Sequence, residues 1–181
     1  MQVLTFLGLL LVLVWCCRRQ LMNPRCHGFY RFFAFAGILW LLVRGLPLWH
    51  ERLFSWHQAM ATVLLALSAY FLISGLYRLR QDGGRRSEEQ PDENFAFENT
   101  ARLVTSGIYR YVRHPMYTSL LFLCWGVYLK DITASGLLVA LGVSVALLLT
   151  ARVEERENRH FFGHDYELYR HRSRLFIPFL L

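Results

Sequence analysis

The 181-residue chain lacks most of the motifs by which soluble enzymes announce their chemistry. Its four cysteines, Cys16, Cys17, Cys26 and Cys124, contain no CxxC pair, which excludes the usual zinc and dithiol-redox patterns. There is no GxSxG nucleophile elbow, and Cys124 falls within an apolar run with no nearby histidine, so a hydrolase is not indicated. Neither GxGxxG nor a Walker A sequence occurs, which leaves no Rossmann or P-loop nucleotide site. Of seven histidines only His160 and His164 stand at a spacing of four, downstream of Glu154, Glu155 and Glu157. Gly163 between them threatens the helix that would align them, so no metal site is expected. Acidic residues are also few, 13 against 20 basic ones, for a net charge of +7. These cations flank apolar segments and form no single patch, so a nucleic-acid partner is not expected.

Apolar residues are abundant, at 55% of the chain with a mean hydropathy of +0.28. So few polar residues would remain to cover a soluble core of this size that a soluble all-α protein is the weaker reading. They fall into five blocks: Val3–Cys17, Phe29–Trp49, Phe54–Tyr77, Pro115–Leu129 and Ile132–Ala151. A spanning helix needs about 17–25 mostly apolar residues. The third and fifth blocks meet this, and the second does so if Arg31 and Arg44 snorkel from its ends. The first and fourth are shorter and need local thinning of the bilayer. The expectation is an all-α integral membrane protein with about five transmembrane helices.

Charge placement orients these spans. With the N-terminus outside, every cation except Arg44, Arg52 and Lys130 falls on one side, which the positive-inside rule makes cytoplasmic. No cation precedes the first apolar run and Arg18-Arg19 follow it, the pattern of a retained N-out anchor. Cys16-Cys17 at its cytoplasmic end are read as small apolar residues, although acylation is possible there. The polar stretch Gln81–Thr100, with Asp82-Gly83-Gly84 and Pro91, separates a three-span region (1–80) from a C-terminal core (101–181). It is read as a solvated linker; a sharper reading makes it a lid with Phe95 and Phe97 as its apolar contacts. Lys130–Gly136 is a short connection that makes the last two apolar blocks an antiparallel hairpin. Gly136/Ala140 and Gly142/Ala146 should let a neighbouring helix backbone come close. Beyond Arg152 a helical pattern runs to about His160, Gly163 is a plausible stop, and Tyr166 and Tyr169 share one face of a further short helix.

Two polar clusters meet at the cytoplasmic edge in this arrangement. One is Gly107-Ile-Tyr109-Arg-Tyr-Val-Arg113-His114-Pro115-Met-Tyr117, which opens the fourth block; the other is Glu154-Glu155-Arg156-Glu157, which follows the fifth. Ionisable residues at a membrane boundary are costly, so such clusters are functional candidates. Each member also has an ordinary explanation. Arg113 could anchor to lipid, Tyr109 and Tyr111 could belong to an interfacial aromatic belt, and Glu155 could pair with Arg159 four residues on.

The order of motifs resembles the superfamily of isoprenylcysteine carboxyl methyltransferases and phospholipid methyltransferases. In it a GxYxxxRHPxY motif opens a span, and a helical hairpin, a Glu-Glu pair, Phe-Gly-x-x-Tyr-x-x-Tyr and a closing Pro follow. Here these are Gly107–Tyr117, Glu154-Glu155, Phe162-Gly163-His-Asp-Tyr166-Glu-Leu-Tyr169 and Pro178, and the resemblance covers roughly residues 100–181. It implies S-adenosyl-L-methionine as methyl donor, held by the C-terminal half at the cytoplasmic face. His114, Tyr117, Glu155, Glu154, Arg113 and Tyr109 are then the cofactor-binding candidates. His114 would hydrogen-bond the amino-acid end, Tyr117 would offer an aromatic face near a cation, and the glutamates would accept from ribose hydroxyls or the ammonium. Arg113 would meet a carboxylate or lipid phosphate. Arg172, near a basic position ahead of the closing proline, would be the catalytic candidate, orienting a substrate carboxylate or phosphate. The expected function is methyl transfer to a lipid or small amphiphilic acceptor reached from the bilayer, through carboxyl, thiol or amine chemistry. The alternative is a non-catalytic membrane subunit that keeps the fold as a scaffold.

Overall fold

A computed structural model describes residues 1–49, 55–84 and 100–176. Within them lie seven α-helices: α1 (Gln2–Cys16), α2 (Arg18–Leu21), α3 (His27–Gly45), α4 (Trp56–Asp82), α5 (Pro115–Tyr128), α6 (Ala134–Phe162) and α7 (His164–Arg172). Two 3₁₀ turns, Leu46–Leu48 and Gly107–Arg110, complete the list. No strand forms among the described residues; one parallel bridge joins Val112 to Arg174.

Three of the expected spans stand on length and composition alone: α3 with its 3₁₀ extension (His27–Leu48), α4 and α6. The other two are shorter, at 15 residues in α1 and 14 in α5. At 1.5 Å per residue each reaches about 21–23 Å, short of a hydrocarbon core of about 30 Å. α1 buries no residue; its Phe6 ring meets Trp40 of α3 edge-on at 5.0 Å.

Packing pairs α4 with α5 and α3 with α6, while α5 and α6 touch less extensively. The core is the apolar seam of Ala34, Ile38 and Leu41 on α3, Cys124 and Val127 on α5, and Ala140, Val143, Leu147 and Ala151 on α6. The turn after α5 is held by Arg44, which reaches Asp131 at 3.1 Å and Ser135 Oγ at 2.6 Å. Thr133 caps α6 by accepting from Gly136 N. The small-residue expectation is only half met. Ala140 is buried, but nothing among the described residues lies within 4 Å of a Cβ placed on Gly142. The close approach to α6 comes instead from α3, where a Cβ on Gly37 would overlap Val143.

At the other end of the bundle His27 opens α3 against Glu157 of α6, with Nδ1 and Oε2 2.7 Å apart and the His27 amide donating to Oε1 at 3.3 Å. This contact fixes the register of α3 on α6. Gly163 stops α6 at φ 57, ψ −128, a region that favours glycine, and the chain turns back into α7. Tyr166 and Tyr169 form the buried face of α7, and Tyr169 reaches back to the Gly107–Arg110 turn. Of the sequence expectations, Phe95, Phe97, Pro178 and Arg52 lie outside the described residues.

Candidate functional site

His114 is the pivot of the two polar clusters. Proline at 115 disfavours helical backbone in the residue before it, and His114 takes φ −120, ψ 63 as the cap of α5. Its ring therefore leaves the helix axis and turns inward, and the residue is only 5% exposed. It stacks on Tyr117 (5.4 Å between centroids, 16° between planes) and meets Phe176 edge-on at 6.5 Å. Nδ1 lies 3.7 Å from Glu154 and Nε2 lies 3.8 Å from Glu155, both too long for hydrogen bonds. Nε2 is buried with no hydrogen-bond partner among the described residues. Tyr117 donates its hydroxyl proton to Glu154 Oε2 in a short hydrogen bond.

The next residue of α6, Glu155, is 6% exposed and belongs to a different construction. Arg113 Nε donates to Glu155 Oε1 at 2.6 Å, and Arg113 Nη1 donates to the carbonyls of Ser173 (2.5 Å) and Arg170 (3.2 Å). Arg170 adds a second guanidinium 3.8 Å from the same carboxylate. Arg113 therefore ties α6, the end of α7 and the following tail together. The sequence alternative for Glu155, a surface pair with Arg159, is not what forms, because Arg159 turns to Glu167 at 3.7 Å.

Backbone bonds complete the tail's attachment. Arg113 N donates to Arg174 O (2.8 Å), Arg174 N to Tyr111 O (2.9 Å), and Thr118 Oγ1 to Phe176 O (2.8 Å). Tyr169 donates to the Tyr109 carbonyl at 2.7 Å. Burial pushes the phenols of Tyr109, Tyr166 and Tyr169 well above their ordinary range, so all three stay protonated.

These groups line one end of a cavity of about 260 Å³ between α3, α4, α5 and the C-terminal segment. Arg113, His114, Tyr117, Glu154 and Tyr109 contribute to this polar end, with Asn158, Tyr166 and Tyr169 beside them. Farther in, the wall is Phe35, Leu72, Leu120 and Leu123, interrupted by Ser68, Ser119 and Arg31. Of the seven residues singled out from sequence, five therefore share one cavity. Glu155 lies behind its wall, held by Arg113. Arg172 is exposed at the end of α7 and does not line the cavity.

Sequence reasoning missed Arg31, Asn158 and Arg170. Arg31 was expected to snorkel from the end of its span, but it is 3% exposed and forms part of the cavity wall. No local signal in the sequence marks it, because the His27–Glu157 contact that seats this end of α3 on α6 joins residues distant in the chain. His160 and His164 fall on separate helices either side of Gly163, and no cluster of three metal-binding side chains occurs among the described residues.

Comparison with known proteins places the chain in a family. A family model described as phospholipid methyltransferase matches residues 56–165, from the start of α4 into α7. The chain belongs to this phospholipid methyltransferase family of membrane-type methyltransferases. Among curated relatives, a probable protein-S-isoprenylcysteine O-methyltransferase of Oryza sativa subsp. indica is 33% identical over 87 residues, 46% of this chain and 44% of the relative. The protein of the same name in Oryza sativa subsp. japonica matches equally well. Methanethiol S-methyltransferase 1 of Bradyrhizobium diazoefficiens is 31% identical over 77 residues, 42% of this chain and 26% of that protein. The matches thus span less than half the length of these relatives. No solved structure matches the chain.

Proposed function

We propose that the protein is an integral membrane methyltransferase that takes its methyl group from S-adenosyl-L-methionine and gives it to a lipid or small amphiphilic acceptor. The observation that carries this reading is the two-ended cavity: His114, Tyr117 and Glu154 at one end, an apolar channel between α3, α4 and α5 at the other.

The donor set fits the cofactor's chemistry. Glu154 is a carboxylate facing the cavity, suited to an ammonium or a ribose diol, and its existing partner Tyr117 can be shared. His114 Nε2 is buried without a hydrogen-bond partner among the described residues, which suits a polar group of the ligand. Tyr117, Tyr109 and Tyr166 give aromatic faces to a cationic, planar ligand. Glu155 and Arg113 act indirectly in this reading, holding His114 and the tail in place. When bound, the cofactor supplies a methyl group made electrophilic by its sulfonium. The protein needs no nucleophile of its own: its side chains hold the acceptor in line and keep water out of the site. The apolar wall of Phe35, Leu72, Leu120 and Leu123 suits an acceptor with a hydrocarbon portion. Arg172 stays a proposal only for an acceptor carboxylate or phosphate approaching from the water side, given its exposure.

The topology proposed with this function has five spans, the N-terminus outside, and the cofactor site and C-terminus in the cytoplasm. It rests on the cation asymmetry, with α1 and α5 as short spans aided by flanking polar residues. The test is methyl transfer itself. Purified protein in nanodiscs is given methyl-labelled S-adenosyl-L-methionine with a total lipid and metabolite extract, and the labelled product is identified. Label should enter an amphiphilic product and vanish in His114→Ala. Binding of the cofactor without any transfer would instead favour a non-catalytic subunit that keeps the site.

A further inference from the structure

A second cleft, of about 480 Å³, opens on the outer side of the bundle where the Gly107–Arg110 turn lies against the end of α4. Its walls are Tyr70, Ser74, Tyr77 and Arg78 on α4, with Arg110 and Tyr111 from the turn, and none of its lining residues among the described ones is acidic. Neither arginine lines the central cavity. Arg78 lies across the turn at Gly107, where φ is +59 and an added Cβ would come within 2.6 Å of Arg78 Nε. Its guanidinium carbon sits 5.9 Å from the Tyr77 ring centroid. The neighbouring acid, Asp82, accepts a short hydrogen bond from Ser106. Two guanidiniums thus share a cleft with three tyrosines, and no carboxylate lines it among the described residues.

What continues from this cleft is equally specific. Met60, Val63, Leu67, Tyr70, Ile73 and Tyr77 are all exposed and recur every three or four residues, forming one stripe along a helix long and apolar enough to cross a bilayer. The stripe runs straight into the cleft. On a spanning helix such a face meets acyl chains, and the polar cleft at its end then lies at headgroup depth, where tyrosine and arginine are favoured.

We propose that the α4 cleft binds the headgroup phosphate of an anionic phospholipid, with the lipid's acyl chains lying along the α4 stripe. Arg78 and Arg110 would donate to the phosphate oxygens, a pairing that the planar guanidinium forks suit, and the tyrosine hydroxyls would donate alongside them. A free phosphate would leave the stripe unused, and a zwitterionic headgroup would bring its own cation against the two arginines. The site is separate from the central cavity and does not depend on methyl transfer.

Native mass spectrometry of the purified full chain in neutral detergent, titrated with phosphatidylglycerol or phosphatidylcholine, tests this. One phosphatidylglycerol should bind per chain at least tenfold more tightly than phosphatidylcholine. Arg110→Gln, at an exposed position, should weaken phosphatidylglycerol binding several-fold, and Arg78→Gln/Arg110→Gln should abolish the preference, with helicity checked by circular dichroism. If the double variant cannot be purified folded, Arg110→Gln alone decides. Undiminished preference in the folded variants would overturn the proposal, and so would full competition by millimolar inorganic phosphate, which would mark a free-phosphate site.

Discussion

Replacing Arg113 by methionine removes the cation from the tightest ion pair at the site while keeping much of the side-chain volume. Arg113 and Glu155 have side chains 10% and 8% exposed and meet at 2.6 Å, so solvent screens them little. Deleting one partner of a buried pair costs about 3–5 kcal/mol, because the remaining charge stays buried. Arg170 softens this, as a half-exposed guanidinium 3.8 Å from the same carboxylate. Two carbonyls, those of Ser173 and Arg170, also lose a donor, at about 1 kcal/mol each. The expected loss is about 4 kcal/mol, close to three decades in the unfolding equilibrium. Reversible unfolding in mixed detergent–dodecyl sulfate micelles, followed by circular dichroism, measures it. The companion variant Glu155→Leu and the double variant close a cycle in which removing both charges should recover about 2 kcal/mol. A coupling below about 0.5 kcal/mol would refute the argument that the two residues act as one buried unit.

Other consequences are more local. Tyr117→Phe removes the donor to Glu154 but keeps the ring against His114, so it should weaken S-adenosylhomocysteine binding about tenfold while the melting temperature moves little. Gly163→Ala places a side chain at φ 57, ψ −128 and should cost about 1–3 kcal/mol in the same micelle assay. Alkaline pH should destabilise the C-terminal half. The buried phenols of Tyr109, Tyr166 and Tyr169 have folded pKa values raised above the unfolded value of about 10. Their contribution is thus complete below pH 10 and is lost as pH rises toward the folded values, because the unfolded chain gives up those protons first. Stability measured from pH 8 to 11.5 should fall above about pH 10, and less steeply in Tyr169→Phe.

Much of the site could be read from the chain because its devices are local. Pro115 dictates where His114 leaves the helix, Gly163 dictates where α6 stops, and the spacing of Tyr166 and Tyr169 puts both on one face of α7. What could not be read depends on register between distant helices. Arg31 sits near the end of an apolar run, where snorkelling to water and facing a cavity look alike. Only the seating of His27 on Glu157 selects the second. The spacing of Gly142 and Ala146 defines a face without saying whether a helix covers it, and none among the described residues approaches Gly142. Glu154 and Glu155 are adjacent, yet α6 turns one toward the cavity and the other toward Arg113. Neighbours in sequence lie about 100° apart around a helix, so a Glu-Glu pair cannot serve one ligand equally, and which member faces inward depends on α7.

The central claim is that the His114–Tyr117–Glu154 end of the cavity holds S-adenosyl-L-methionine. Isothermal titration calorimetry of S-adenosylhomocysteine into the purified protein, beside His114→Ala and Glu154→Gln, tests it most directly. The account predicts saturable one-to-one binding that falls at least tenfold in each variant while their helicity is retained. Absence of binding by the intact folded protein across several mild detergents, or equal binding by both variants, would contradict it.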